Sequence, residues 1–80
     1  MPADTEALVR YLVTSLVDDP DAVTITVTDS DEAITLEIAL NPDDVGKVIG
    51  RQGRIIKAIR TLARAAGTTG DKQVEVEVTG

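Results

Sequence analysis

Apolar residues recur along this chain at two spacings, and each spacing marks a different kind of element. Between Asp4 and Val17 the pairs Leu8-Val9, Leu12-Val13 and Leu16-Val17 repeat every four positions, the period of a helix with one broad apolar face. Asp4 suits the N-cap of that helix and Glu6 its first turn. Asp18-Asp-Pro-Asp21 ends it, because proline disfavours helical dihedrals at the residue before it. The spacing then drops to two. Val23, Ile25 and Val27 alternate with Thr24, Thr26 and Thr28, and after the polar turn Asp29-Ser-Asp-Glu32, Ile34, Leu36, Ile38 and Leu40 alternate with Thr35, Glu37 and Ala39. This is a hairpin with one apolar and one polar face. Threonines on an open face suit solvent, and also sugars or peptides.

Helical spacing returns in two pieces. Asn41-Pro-Asp-Asp44 is a helix start, with Asn41 as N-cap, Pro42 at the first helical position and two acids in the first turn. Val45, Val48 and Ile49 give that short helix its buried face. Ile55, Ile56, Ile59, Leu62, Ala63 and Ala66 give a second helix its own, from about Gly53 to a turn at Gly67-Thr-Thr-Gly70. A last strand from Lys72 to Thr79 alternates Val74, Val76 and Val78 with polar residues. The order is helix, strand, strand, helix, helix, strand, an α+β architecture in which three strands form a mixed sheet with the helices on one face. A hairpin pairs the first two strands antiparallel, and the two-helix crossover makes the second and third parallel neighbours. Residues 1–80 are read as one domain with a modest core, large enough to bury roughly 60 to 65% of the extended surface.

Charge changes the picture at one place. The chain is acidic, with 14 Asp and Glu against 8 Lys and Arg and a net charge of -6, which argues against a polyanionic partner. Between Val45 and Ala66, however, no acid occurs, while Lys47, Arg51, Arg54, Lys57, Arg60 and Arg64 do. This basic stretch surrounds Gly50-Arg-Gln-Gly53, the turn between the two short helices. Residues without a Cβ let the backbone approach a ligand and adopt positive φ, and exposed N–H groups beside a helix start favour anions. The same pattern also describes a plain helix corner with a solvated basic face.

Other classes have less support. There is no cysteine and no histidine, so disulfides, thiolate metal sites and the usual zinc ligand and general base are missing, and no cofactor is implied. Asp18, Asp19 and Asp21 lack the regular oxygen positions and closing glutamate of a calcium loop. Asp43 and Asp44 are explained by helix capping rather than acid-base catalysis, so no enzyme is expected. No apolar run reaches the ~20 residues needed to cross a bilayer, which predicts a cytoplasmic chain without membrane insertion. Tyr11, the single aromatic, is either packing at a domain edge or a stacking platform. A double-stranded DNA reader built on the second helix would carry Ile55, Ile56 and Ile59 beside its bases, and the acidic body would repel a wide duplex.

The run Val48-Ile-Gly50-Arg-Gln-Gly53-Arg-Ile-Ile56 resembles the signature of KH domains, and the element order resembles their type II arrangement across essentially the whole chain. Its length is similar to that of the small bacterial single-KH RNA-binding proteins. The resemblance implies a groove for single-stranded RNA in which Gly50, Arg51, Gln52 and Gly53 clamp the backbone. It also implies that Lys47, Arg51, Arg54 and Lys57 meet phosphates, that Val48, Ile49 and Ile56 form or support an apolar floor, and that the second strand, at its Ile38 end, supplies the other wall. Proteins of this kind act as RNA chaperones or post-transcriptional regulators. They form homodimers, or pair with a larger KhpB/Jag-type KH-containing protein linked to cell elongation and division. The alternative is a dimerisation or adaptor module that docks a protein without important RNA binding.

Overall fold

A computed structural model describes residues 2–67 and 73–80 of the chain. Helix α1 (Pro2–Leu16) is followed by strands β1 (Thr24–Asp29) and β2 (Ala33–Ala39), the short helix α2 (Val45–Ile49), helix α3 (Arg54–Gly67) and strand β3 (Gln73–Thr79). The element order is the expected one. Helix α1 starts two residues before Asp4, so Asp4 lies inside the first turn rather than capping it, and Pro2 takes the first helical position, where a missing N–H costs nothing. Single 3-10 turns at Pro20–Ala22 and Pro42–Asp44 were not expected; both begin with proline, whose fixed φ suits that position. The expected turn after Gly67 and the start of the last strand at Lys72 fall on residues 68–72, outside the described residues.

The sheet has the order β1-β2-β3. β1 and β2 are antiparallel, with Ile25 opposite Ile38 and Val27 opposite Leu36, while β2 and β3 are parallel, with Leu36 opposite Val76. Ser30 closes the hairpin: its N–H and hydroxyl both donate to the Ala33 carbonyl, at 2.9 and 3.0 Å. Because strand side chains alternate, Ile25, Ile34, Leu36, Ile38, Val74 and Val76 all turn to the face that the helices cover. Val9 and Val13 of α1, Val48 of α2, and Ile56, Ile59 and Ala63 of α3 close over them in one continuous core. The threonines of β1, with Glu37, Glu75 and Glu77, are exposed on the opposite face.

The apolar stripes are wider than the surface available to cover them. Leu16 is 37% exposed, Leu62 46% and Tyr11 69%. Ala66, also expected on the buried face, is exposed. Leu16, Leu62 and Tyr11 line a groove of about 410 Å³ between α1 and α3, together with Leu12, Ile55 and Ala58. No helix among the described residues is long and apolar enough to cross a membrane.

Candidate nucleic-acid interface

The loop between α2 and α3 is built by three left-handed residues in a row of four. The N–H of Gly50 donates to the Gly46 carbonyl at 2.9 Å and closes α2, and Gly50 itself sits at φ 76°, ψ 175°. That region of backbone space belongs essentially to glycine. A Cβ there would also lie 2.6 Å from Cγ1 of Ile55, so Gly50 is required twice over. Gln52 (φ 57°) and Gly53 (φ 72°) complete a tight 3-10 turn, closed by the Gly53 N–H to the Gly50 carbonyl at 3.2 Å. Around Gly53 the space is open, with Ile56 Cγ2 at 3.8 Å from an added Cβ, so only its φ calls for glycine. Arg51 and Gln52 are left exposed at the tip, and Arg54 donates from Nη2 to Gln52 Oε1 at 3.3 Å.

The bases around this loop divide into two kinds. Arg51, Arg54 and Lys57 are exposed at the loop and along the first turns of α3. Lys47 is held. Its ammonium contacts Asp18 Oδ2 at 2.6 Å and Asp44 Oδ1 at 2.9 Å. Asp44 is only 2% exposed, and its two oxygens also accept from the backbone N–H groups of Asp18 (3.3 Å) and Asp19 (3.1 Å). The Lys47 hydrogen bond, helped by those amides, holds the Asp44 carboxyl below its usual pKa against the opposing effect of burial. Asp18 and Asp44 in turn push the Lys47 ammonium well up. Lys47 is therefore a fastener between α2 and the chain after α1, with its side chain still 42% exposed. Asp44 is three residues away in sequence, whereas Asp18 is brought to Lys47 from the loop after α1 only by the fold.

The family described as KhpA/KhpB, KH domain, matches residues 6–78. The chain belongs to that family. Its relatives include the RNA-binding protein KhpA of Listeria monocytogenes, 44% identical over 73 residues that span 91% of this chain and 96% of that protein. The RNA-binding protein KhpA of Clostridium perfringens is 48% identical over 71 residues, 89% of this chain and 95% of that one. The same-named protein of Bacillus subtilis is 44% identical over 73 residues, 91% of this chain and 90% of the other. Among solved structures, Aquifex aeolicus Era (Y63A, bound to GDP and AlF4-) matches 99% of this chain and 32% of that one with a TM-score of 0.63 at 20% identity, a likeness of fold alone.

In this KH domain the apolar residues flanking the loop are mostly interior. Val48 is fully buried and Ile56 nearly so, which makes them supports of the loop rather than its surface, while Ile49 is half-buried and reaches the outside. Ile38 is fully buried, in the strand at the centre of the sheet. β2 is central, with a neighbour bonded on each side; β3 is the edge strand that α3 packs against. Arg60 shows where that edge lies. Its Nε donates to the Val76 carbonyl at 3.1 Å, tying α3 to β3. In the sequence Arg60 reads as one more base on the second helix, because its partner is a backbone atom brought near only by the fold of β3 against α3.

Proposed function

We propose that this chain binds single-stranded RNA at the loop from Gly50 to Gly53 and acts as an RNA chaperone or post-transcriptional regulator. The observation that carries the reading is the left-handed glycine turn set in the stretch of chain without acids, where the backbone can approach a phosphate chain inside a positive patch. Relatives named RNA-binding protein KhpA support it. In this reading Gly50, Arg51, Gln52 and Gly53 hold the nucleotide backbone, Arg51, Arg54 and Lys57 meet phosphates, and Ile49 touches a base. Val48, Ile56 and Ile38 hold that surface from beneath. Lys47 acts at one remove, by fixing the start of α2.

Tyr11, the single aromatic, lies with Arg54 and Ile55 on the α1 side of α3 rather than on the β3 side, so the ~1 to 3 kcal/mol that stacking adds per base elsewhere is missing there and one groove binds weakly. Association with a second copy, or with a KhpB/Jag-type partner in the control of cell elongation and division, would link two weak sites and raise overall affinity. The groove between α1 and α3, with Tyr11, Leu16 and Leu62 open to solvent, supplies an apolar surface for that association. The same groove favours the second reading, a docking module without important RNA binding.

The test is a loop variant with both Arg51→Asp and Gln52→Asp. Aspartate tolerates the left-handed backbone of position 52 and both glycines stay, so stability should change by no more than ~1 kcal/mol. Binding of a fluorescent single-stranded RNA should be lost, with circular dichroism and oligomeric state unchanged. A folded double variant that binds RNA as the parent does would leave the docking module as the function.

A further inference from the structure

Strand β3 has one bonded and one open side, and three hydrogen bonds reveal which groups face each. Gln73 donates its N–H to the Glu32 carbonyl, and the Thr79 carbonyl accepts from Leu40 N–H, so the odd-numbered residues of β3 turn their backbone groups toward β2. By the alternation of a parallel ladder, Val74, Val76 and Val78 turn theirs to the open edge. The Val76 carbonyl on that edge is the one that Arg60 Nε occupies. Arg60 is half-buried, and its two Nη groups have no partner among the described residues. One nitrogen thus fixes the guanidinium plane beside the strand while the other two present N–H donors next to the Val76 N–H.

The position is in reach of a bound strand. Lys57, Arg60 and Arg64 fall on one flank of α3, and at 1.5 Å per residue Arg60 lies about 9 Å along the axis from Arg54, the first residue after the loop, a span of one or two nucleotides. At the guanidinium every remaining group donates: Nε engages the Val76 carbonyl, and the other outward carbonyls, of Val74 and Val78, lie a register step away along the edge. A base presenting two adjacent acceptors fits it: guanine through O6 and N7, or cytosine through N3 and O2. Adenine would bring its amino group against donors. We infer that Arg60 is a specificity-determining residue that selects guanine or cytosine over adenine one to two nucleotides from the Gly50 to Gly53 loop. This rests on the RNA-binding reading above.

The experiment compares fluorescein-labelled RNA hexamers by anisotropy: all adenine, and adenine with one central guanine or cytosine. The probes are tested against the parent and against Arg60→Lys, which keeps the charge but not the planar fork. The parent should bind the guanine or cytosine hexamer about 5- to 100-fold more tightly than all-adenine, the span expected of one bidentate arginine–base pair. Arg60→Lys should reduce that ratio to about twofold while binding all-adenine nearly as well, with an unchanged melting curve. Arg60→Met, matched for length without charge, should also lose the ratio. A lysine variant that keeps the parent's ratio, a parent that prefers all-adenine, or a loss in Arg60→Met that is equal for every hexamer would overturn the inference and leave Arg60 a phosphate contact or a strand tether. No binding of any hexamer by the parent at low salt would overturn the RNA reading and this inference with it.

Discussion

The two glycines of the loop look equivalent in sequence and are not equivalent in space. Gly50→Ala forces a residue into backbone reserved for glycine and drives its Cβ into Ile55, which should cost about 2 to 4 kcal/mol in urea unfolding. Gly53→Ala meets no neighbour and should cost only about 1 kcal/mol, the price of a left-handed alanine. Similar losses for both would contradict the geometry. Asp44 makes a second prediction at this scale. Because its folded pKa is depressed, the stability it contributes is fully present above the ordinary carboxylate value of 3.8 and is lost as pH falls through the lower folded value. Melting temperature should therefore drop with acid below about pH 4, and Asp44→Asn should lower the neutral-pH value while removing that part of the acid dependence. Positive φ at the glycines is legible in the sequence, but neither the difference between them nor the burial of Asp44 is. Asp44 reads as one more helix-capping acid, since the amides of Asp18 and Asp19 that bury it lie in a different loop.

At the scale of the element, α3 is a helix with two unlike flanks on either side of a buried centre. Ile56, Ile59 and Ala63 face the core. On the β3 side lie Lys57, Arg60 and Arg64; on the α1 side lie Ile55, Ala58 and Leu62, open to the groove. The two flanks should fail separately. Lys57→Ala should weaken RNA of every sequence alike and reduce the salt slope by about one, with association untouched. Leu62→Glu should abolish self-association in light scattering across a concentration range, with the RNA affinity of the monomer preserved. Helical periodicity placed α3 and its basic residues correctly, strict alternation placed the strands from Thr24, Ala33 and Gln73 onward, and the connections between them gave their order. What periodicity does not carry is how much of a stripe its partners cover, which is why Leu62 and Ala66 were expected inside. Nor does it show which strand lies beside α3, which only the contact of Arg60 with the Val76 carbonyl reveals.

The whole molecule sets an acidic field around a small basic loop. A net charge of -6 opposes an RNA strand everywhere except between α2 and β3, so binding should be confined to a few nucleotides and weaken steeply with salt. With three or four phosphate contacts on a single strand, the logarithm of affinity should fall against the logarithm of salt with a slope of about -2 to -3. A slope near zero would mean that the loop charges take no part. The sheet order has a further consequence, in time rather than in space. β1 and β2 are joined by a tight turn, whereas Ala33 of β2 meets Gln73 of β3 some forty positions along the chain. Closing that larger loop comes late in folding. A strand that arrives last is also the first to open, so amide hydrogens of β3 should exchange sooner than those of β2. β3 is then the strand that opens most readily, and RNA bound as proposed should slow exchange in β3 more than anywhere else in the protein.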